Sequence, residues 1–395
     1  MTAESPFFFT KVECPICRTV NEFETIKVGA YSETGRDTDF RPTERTWRNP
    51  RYQAYNPLLY FTATCSNCFY TREFSTDFKE WKDDAYFKTY RLKAVKERHL
   101  ELLAEPDSVI KAIGGELDAA RHPNETAVLK LLLAILDEDL NEKGIDLDLG
   151  RFFLRIAWLF REMDSGENPN LQAIKGYLID IESKLGRMKG GLDDIRFRLA
   201  EIEKAVAAQF DDDGVSAEIK SILYPIRDKY AAELKSFNDL LTLVDGKVEA
   251  LDLVTGEHRQ AALGTSSSDV QPGFHNHASF DSFLRLISSK WNKVPLSEKD
   301  ALRQAAFYYR RAYEGGREIG DGNQKIQASY LIAELSRRID DFDTAKEYFN
   351  ATIRAGQEFI YKNRNDQSRT ALARKILELA IEQGRMNLAE AKTAG

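Results

Sequence analysis

Cys14-Pro15-Ile16-Cys17 and Cys65-Ser66-Asn67-Cys68 are the two short cysteine pairs that decide the fold of the N-terminal part of the chain. Each pair places two sulfur atoms on one tight turn, and the two turns together supply four thiolates for a tetrahedral ion. A saturated four-sulfur set is typical of structural zinc, although the same thiolates would also hold iron. The sequence therefore predicts one metal ion, most simply zinc, bound by Cys14, Cys17, Cys65 and Cys68.

The stretch between Cys17 and Cys65 is longer than the roughly 15–20 residues that separate the pairs of a common zinc ribbon. We interpret it as a ribbon whose middle hairpin carries an insertion. Two disulfides and four free buried thiols are the alternatives. Disulfides need an oxidising compartment, but residues 1–6 lack a basic region and Phe7-Phe8-Phe9 is too short for the apolar core of a signal peptide. We therefore expect a reducing, cytoplasmic setting.

Composition indicates a mainly α-helical protein of two or three domains. The 395 residues carry a formal net charge of −7, 30% are charged and only 11 are proline. A mildly acidic chain is not built as a whole for binding polyanions. No apolar stretch approaches the roughly 20 residues of a membrane-spanning helix.

Residues 1–85 are predicted to form a zinc-ribbon-like β module. Phe7–Val12 and Leu58–Thr64 are rich in β-branched and aromatic residues, so both are predicted strands that lead into a cysteine pair. Between them, arginines alternate with aromatic residues, a pattern that can bind single-stranded nucleic acid by phosphate contact and stacking. The alternative is that the arginines pair with Asp37, Asp39 and Glu44 while the aromatic residues pack the ribbon. The candidate contact residues are Arg36, Arg45, Trp47, Arg48 and Arg51.

The order of these motifs resembles that of an uncharacterised bacterial family, a domain of unknown function with an N-terminal cysteine-pair module followed by tetratricopeptide-like helices. The resemblance implies a metal-binding, helical-repeat protein and no particular reaction. Ser66 and Phe69 depart from the commoner Cys-Pro-x-Cys-Gly pattern, and without glycine after the second pair we expect a looser turn there. The motifs are Cys14-Pro15-Ile16-Cys17, Arg36-Asp37-Thr38-Asp39-Phe40, Asn56-Pro57-Leu58-Leu59-Tyr60 and Cys65-Ser66-Asn67-Cys68-Phe69-Tyr70.

Residues 86–168 and 280–395 are predicted to form helical repeats, in two separate parts of the chain. His99 lies on the apolar side of the first predicted helix and is expected to pack there rather than bind metal. Near the C-terminus, Ala333, Ala345 and Phe349 have the spacing of a tetratricopeptide unit, with small residues where paired helices touch. An upstream helix is predicted from Ala301 to Glu314, after a capping box formed by Ser297 and Asp300.

Residues 169–255 are predicted to form an inserted antiparallel coiled-coil hairpin. Apolar residues follow 3,4 spacing from Leu171 to Ile202, and a second seam runs from Ile219 to Leu251. The short connection favours an intramolecular hairpin, and a parallel homodimer is the alternative. A stutter beside Pro225 predicts a kink.

Residues 256–279 are predicted to form a flexible linker, rich in serine, glycine and polar residues. His275 and His277 have the spacing of a metal-binding pair. Because no cysteine is near and the setting is expected to be flexible, we expect solvated histidines instead.

No phosphate-binding loop, dinucleotide fingerprint, nucleophile elbow or zinc-protease motif occurs in the sequence, and no catalytic residue is assigned. Asp37, Asp39 and Asn56 could form a polar site, but no histidine is near them in sequence. We therefore expect a non-enzymatic scaffold or adaptor that binds protein partners through its helical surface and coiled-coil arm. The alternatives are a nucleic-acid-associated factor and an unrecognised enzyme that depends on Asp37 or Asp39.

Overall fold

The computed structural model describes residues 5–49, 52, 53, 55–141, 145–164, 169–210, 214, 216–264 and 273–394. The chain divides into two compact units. The first, which we call the body, comprises Met1–Pro169 and Ser267–Gly395. The second, which we call the arm, comprises Asn170–Ser266. The fold is mainly α-helical, with small two-stranded sheets near the N-terminus, as predicted.

Three antiparallel hairpins form the N-terminal module. In the first, Phe7 pairs with Ile26, and in the third, Thr62 pairs with Glu73. The second hairpin, in which Tyr31 pairs with Trp47, is the insertion predicted between the two cysteine pairs. The strands are β1 (Phe7–Glu13), β2 (Val20–Ile26), β3 (Tyr31–Arg36), β4 (Pro42–Trp47), β5 (Thr62–Thr64) and β6 (Thr71–Glu73).

The predicted strand Leu58–Thr64 is wrong in its first half. Pro57–Tyr60 forms a 3₁₀ turn, because the Asn56 side chain accepts a hydrogen bond from Leu58 N and the proline ring fixes the first turn position. Only Thr62–Thr64 is extended. The turn brings Leu59, which is 3% exposed, into the main hydrophobic core.

Among the described residues, four α-helices of the body precede the arm, after π-helical turns at Phe74–Phe78 and Phe87–Arg91. The third α-helix is the central core element. Every apolar residue of this helix from Ala127 to Leu136 is buried, so neighbouring elements cover it on all sides. A helix surrounded in this way positions the β module on one side and the neighbouring helices on the others. The four are α1 (Leu92–Ala104), α2 (Val109–Gly114), α3 (Pro123–Asp139) and α4 (Asp146–Asp164).

The arm consists of α5 (Pro169–Phe210) and α6 (Ala217–Gly264). The two helices contact each other where Arg196 lies 2.9 Å from Asp245. Helix α6 continues through Pro225 to Gly264, so the predicted linker is wrong for residues 256–264, which are helical. The described residues do not include 265–272, the rest of the polar linker segment. The coiled-coil packing and the kink at Pro225 stay predictions.

Over the described residues 273–394, five helices complete the body. Helix α8 begins where Ser297 accepts a hydrogen bond from Asp300 N at 3.1 Å, which is one half of the predicted capping box. The reciprocal half is not formed, because the Asp300 carboxylate accepts from Arg303 instead. The close approach of α4 and α8 depends on Gly150, since a Cβ there would lie 3.0 Å from the Tyr309 ring. The helices are α7 (Phe280–Lys290), α8 (Glu298–Gly315), α9 (Asn323–Arg338), α10 (Phe342–Lys362) and α11 (Gln367–Ala394).

The predicted contact residues of the C-terminal repeat are buried where α9 and α10 meet. Ala333 and Ala345 are fully buried, and Phe349 is 2% exposed. This burial makes helical repeats plausible, while the tetratricopeptide assignment stays a prediction. None of the helices that the structure describes combines the length and apolarity needed to cross a membrane.

The expectation of solvated histidines at 275 and 277 is wrong. His275 Nε2 donates a hydrogen bond to the Glu116 carbonyl at 3.0 Å, and the His277 ring lies 4.8 Å from that of Phe283. Phe274, which precedes His275, is 1% exposed, because it packs into the core beside α7. The segment therefore caps the core of the body.

Candidate metal centre

The two cysteine pairs lie on matching turns that connect β1 to β2 and β5 to β6. Arg18 N donates to Cys14 O at 3.1 Å, and Phe69 N donates to Cys65 O at 2.9 Å. The same hydrogen bond therefore closes both turns, although the two sequences differ. This repetition directs both pairs of sulfur atoms toward a common centre.

The residue after each cysteine pair adopts a left-handed backbone conformation. The φ angle is +65° at Arg18 and +61° at Phe69, a region that non-glycine residues rarely occupy. At Phe69 the strain is offset by packing, because the Phe69 ring lies directly against Gly114. A Cβ atom added to Gly114 would lie only 2.3 Å from this ring. The expected looser second turn is therefore wrong, since the packed phenylalanine holds the conformation that glycine would adopt freely.

The four sulfur atoms lie within 4.8 Å of one another. Cys14 Sγ is 3.7 Å from Cys68 Sγ, and Cys17 Sγ is 3.5 Å from Cys65 Sγ. Zinc–sulfur bonds of about 2.3 Å in a tetrahedron would place the sulfurs about 3.8 Å apart. The distances fit one tetrahedral ion and exceed the length of a disulfide bond, so the four cysteines could bind a metal ion.

The thiols perturb one another's protonation strongly. Hydrogen bonds with Cys14 and Cys68 lower the pKa of Cys65, and the hydrogen bond with Cys65 raises the pKa of Cys14. Contacts with Cys14 and then with Cys65 raise the pKa of Cys68, whereas the pKa of Cys17 is lowered. The thiolates of Cys65 and Cys17 are thus favoured over those of Cys14 and Cys68 when no cation is present. A divalent cation would remove this conflict, because it stabilises all four thiolates together.

Asn21 on β2 connects the two turns. Its Nδ2 donates to Cys65 Sγ at 3.4 Å and to Thr19 O at 3.0 Å. Its Oδ1 accepts hydrogen bonds from the backbone and the hydroxyl of Ser66, both at 2.8 Å. A single buried amide therefore orients a ligand sulfur of the second pair from the strand that follows the first pair.

His99 on α1 reaches the second cysteine pair from the helical side. Its Nε2 lies 2.8 Å from the carbonyl oxygen of Cys68, which can only accept, so Nε2 carries a proton. Its Nδ1 lies 2.6 Å from Asp137 Oδ1 on α3, and the other carboxylate oxygen accepts from Thr71 N at 2.7 Å. The prediction that His99 packs is confirmed, since it is fully buried, and its packing holds the turn of the second cysteine pair.

Opposing effects act on the His99–Asp137 pair. Burial alone would lower the pKa of His99, but the charge of Asp137, the hydrogen bond with it and the bond to the Cys68 carbonyl raise it overall. Burial raises the pKa of Asp137. Together, the hydrogen bond from Nε2 to a carbonyl and the raised pKa of His99 favour an imidazolium beside a carboxylate.

A family model described as an uncharacterised protein conserved in bacteria (DUF2225) matches residues 7–179 and 290–374. The chain belongs to this family. The matched segments contain all four cysteines, helices α1–α4 and helices α8–α10, and they omit most of the arm. No curated protein and no solved structure matches the chain.

The two acidic residues of the DUF2225 chain's Arg36–Phe40 motif are ion-paired with the helical part of the body. Asp39 is fully buried and lies 2.8 Å from Arg161 on α4, which also contacts Asp37 at 2.8 Å. Arg161 in turn pairs with Glu298 at the first turn of α8. The predicted pairing of these aspartates with arginines of their own stretch is therefore wrong.

A second set of contacts joins the same motif to α9. Arg338 lies 2.8 Å from both Asp37 and Glu334, and Glu334 is fully buried. Asn56, the third residue of the predicted polar site, donates to Glu162 on α4 at 2.7 Å. The structure thus places Asp37 and Asp39 in one network and Asn56 in a neighbouring contact.

The candidate nucleic-acid residues do not form one exposed surface. Trp47 is 3% exposed and donates from its ring to Tyr55 O, so it packs the module as the alternative interpretation predicted. Arg45 pairs with Glu33 and Glu162, whereas Arg36 and Arg48 are exposed. Arg51 lies outside the described residues.

The sequence analysis did not single out several residues that support the cysteine cluster and the Arg36–Phe40 motif, because their partners are distant in sequence. Asn21, Asp137 and Arg161 belong to predicted elements but were not singled out, because their partners are 44, 38 and 122 residues away in sequence. Two signals were present: an asparagine shortly after a cysteine pair, and an acidic residue at the end of an otherwise apolar helix.

Proposed function

We propose that the protein is a non-enzymatic scaffold or adaptor of the bacterial cytoplasm, in which a structural zinc ion holds the N-terminal module on a helical body. Four cysteines would fill the coordination sphere, leaving no position open for substrate, as in structural rather than catalytic zinc sites. A four-thiolate site also requires reduced cysteines, which favours a reducing compartment. Iron in the same set of ligands is the alternative.

A structural role agrees with the contacts around the cluster. Cys68 of the second pair is hydrogen-bonded to His99, and Trp81 donates to the carbonyl of Glu13, the residue before the first pair. The motif Arg36–Phe40 is ion-paired with α4 and α9. The predicted polar site of Asp37, Asp39 and Asn56 makes contacts that join the module to helices α4 and α9 of the body. These contacts support architecture over catalysis at this position.

One observation carries the proposed partner binding: apolar side chains of the arm face solvent. Ile219, Ile222 and Ile226 on α6 are 52%, 67% and 59% exposed. These residues belong to the predicted second seam, where burial against a helix was expected. Apolar rows on a long helix favour association with another helix, from a protein partner or from a second copy.

Affinity purification from the native cell tests this proposal. The intact chain is compared with a variant in which Ile222 and Ile226 are glutamate, and with a control that carries Lys229→Glu at a polar position of the same helix. We expect the double variant to lose a stoichiometric partner that the control retains. Sedimentation of the purified chain then distinguishes self-association from a different partner. Identical recovery by all three proteins, with a monomeric intact chain, would contradict partner binding through the arm.

A further inference from the structure

A cleft of about 430 Å³ lies between the N-terminal module and α4. Its walls come from β2, β3, β4, the turn Pro57–Tyr60 and one side of α4. This volume is within the range of small-molecule sites in proteins. The cleft is separate from the cysteine cluster, because none of the four cysteines lines it.

Arginine is the prevailing charged residue of the cleft. Four arginines line it, together with two carboxylates, Glu33 and Glu162, and both carboxylates lie within 4 Å of a single arginine, Arg45. The other three arginines therefore lack a carboxylate partner among the described residues. The three are Arg36, Arg41 and Arg155.

The guanidinium groups of these three arginines have unused hydrogen-bond donors. Within the described parts of the chain, the side chains of Arg36 and Arg41 make no hydrogen bond or ion pair, and Nε of Arg41 is buried. Arg155 donates to the carbonyl of Arg151, but its own buried Nε has no partner. Buried donors without partners are uncommon in folded proteins and call for an explanation.

Arg155 is fixed in place although its charge is poorly compensated. Its guanidinium stacks on the Phe61 ring at 4.1 Å, which holds its orientation. Burial, followed by the nearby charge of Arg151, lowers the pKa of Arg155. The charges of Glu73 and Asp148 partly oppose this shift, but both carboxylates are ion-paired with Arg151. An anion in the cleft would supply the missing compensation.

We propose that this cleft binds a small phosphate monoester that carries a planar ring, a ligand of nucleotide size. Guanidinium groups match the oxygens of phosphate in a forked geometry, and a dianion would satisfy donors of more than one arginine at once. The aromatic rings of Tyr31, Phe61 and Trp158 also line the cleft and offer faces or edges for a planar group. The site would give this scaffold a ligand-binding capacity beyond protein association.

Calorimetric titration of the full chain with adenosine 5′-monophosphate tests the proposal, with adenosine as the uncharged comparison. We expect one saturable site for the monophosphate and no measurable binding of adenosine. Arg36→Gln and Arg155→Met should each weaken binding by about tenfold, the loss expected when one charge-assisted contact is removed. Arg48→Gln is the matched control, an exposed arginine of the same module that does not line the cleft.

Arg36 is exposed, so Arg36→Gln is expected to fold normally. An Arg36→Gln chain that binds the monophosphate as tightly as the intact protein would overturn the proposal. Equal binding of adenosine and its monophosphate, or the lack of any binding, would do the same. Binding of a single-stranded oligonucleotide without the mononucleotide, weakened as much by Arg48→Gln as by Arg36→Gln, would instead favour a nucleic-acid surface and contradict the cleft.

Discussion

His99 Nδ1 lies 2.6 Å from Asp137 Oδ1, and both side chains are almost completely excluded from solvent. The pair connects α1 and α3 with the backbone of the second cysteine pair, since His99 also donates to Cys68 O. The turn of the second cysteine pair is thus held by a buried charge pair in the helical core. The cysteine module and the helices would therefore fold as one cooperative unit.

Replacement of His99 by leucine is expected to destabilise the body by about 3–5 kcal/mol, because Asp137 would remain buried without its cation. The free energy of unfolding is measured by urea denaturation. A variant with both His99→Leu and Asp137→Leu leaves no isolated buried charge. Its loss in free energy of unfolding should be smaller than the sum of the losses of the two single variants. A loss below about 1 kcal/mol for His99→Leu would show that the pair does not hold the fold.

Asn21→Ala is expected to weaken metal binding by about 10–100-fold without removing a ligand, because the amide orients Cys65 Sγ and the backbone of Ser66. Competition with a chromophoric chelator measures the affinity. Asn350→Ala, at an exposed position of α10, is the matched control. Equal metal affinity of the two variants would remove Asn21 from this role.

Arg161→Met is expected to destabilise the body by about 2–4 kcal/mol, because it leaves Asp39 buried without its cation. Arg303→Met is the control, since its ion pair with Asp300 is solvent-exposed and should contribute less than about 1 kcal/mol. Chemical denaturation of the two variants gives the comparison. Similar losses in both would mean that the Arg36–Phe40 motif does not depend on α4.

The lowered pKa of the buried Lys130 side chain leads us to expect that the stability of the body depends on pH. Burial lowers its pKa to about 8, although its Nζ donates to Leu59 O at 2.6 Å. The unfolded chain, where the pKa is about 10.4, binds more protons between these values, so this residue's contribution to stability rises with pH from about 8 to 10.

Lys130→Met should remove that rise. The stability of the intact protein relative to the variant is expected to increase by about 1–3 kcal/mol between pH 7.5 and 10. Lys11→Met, at a side chain that is 74% exposed, should show no such trend. Parallel pH profiles of the intact protein and Lys130→Met would contradict the lowered pKa.

Local patterns in the sequence were sufficient to predict the cysteine cluster. Two turns of fixed spacing bring four sulfurs together wherever their hairpins meet, and the inserted hairpin could be inferred from the distance between Cys17 and Cys65. The buried positions Ala333, Ala345 and Phe349 could likewise be predicted from the spacing typical of a tetratricopeptide unit.

Contacts between distant segments could not be predicted in the same way. The partners of Asp37 and Asp39 lie on α4 and α9, and nothing in their own stretch indicates this. The turn at Pro57–Tyr60 depends on the side chain of Asn56, which overrides the strand preference of the aromatic residues that follow. The packing of His275 could not be predicted from its neighbours in the sequence, because its partner, the Glu116 carbonyl, is 159 residues away.

Metal analysis of the purified, reduced protein tests the central claim most directly. The account predicts one zinc ion per chain, absent from a Cys14→Ser, Cys65→Ser variant, with all four thiols of the intact protein protected from alkylation until a chelator is added. A natively folded protein without stoichiometric metal, whose Cys14 and Cys65 react freely with an alkylating reagent, would contradict it.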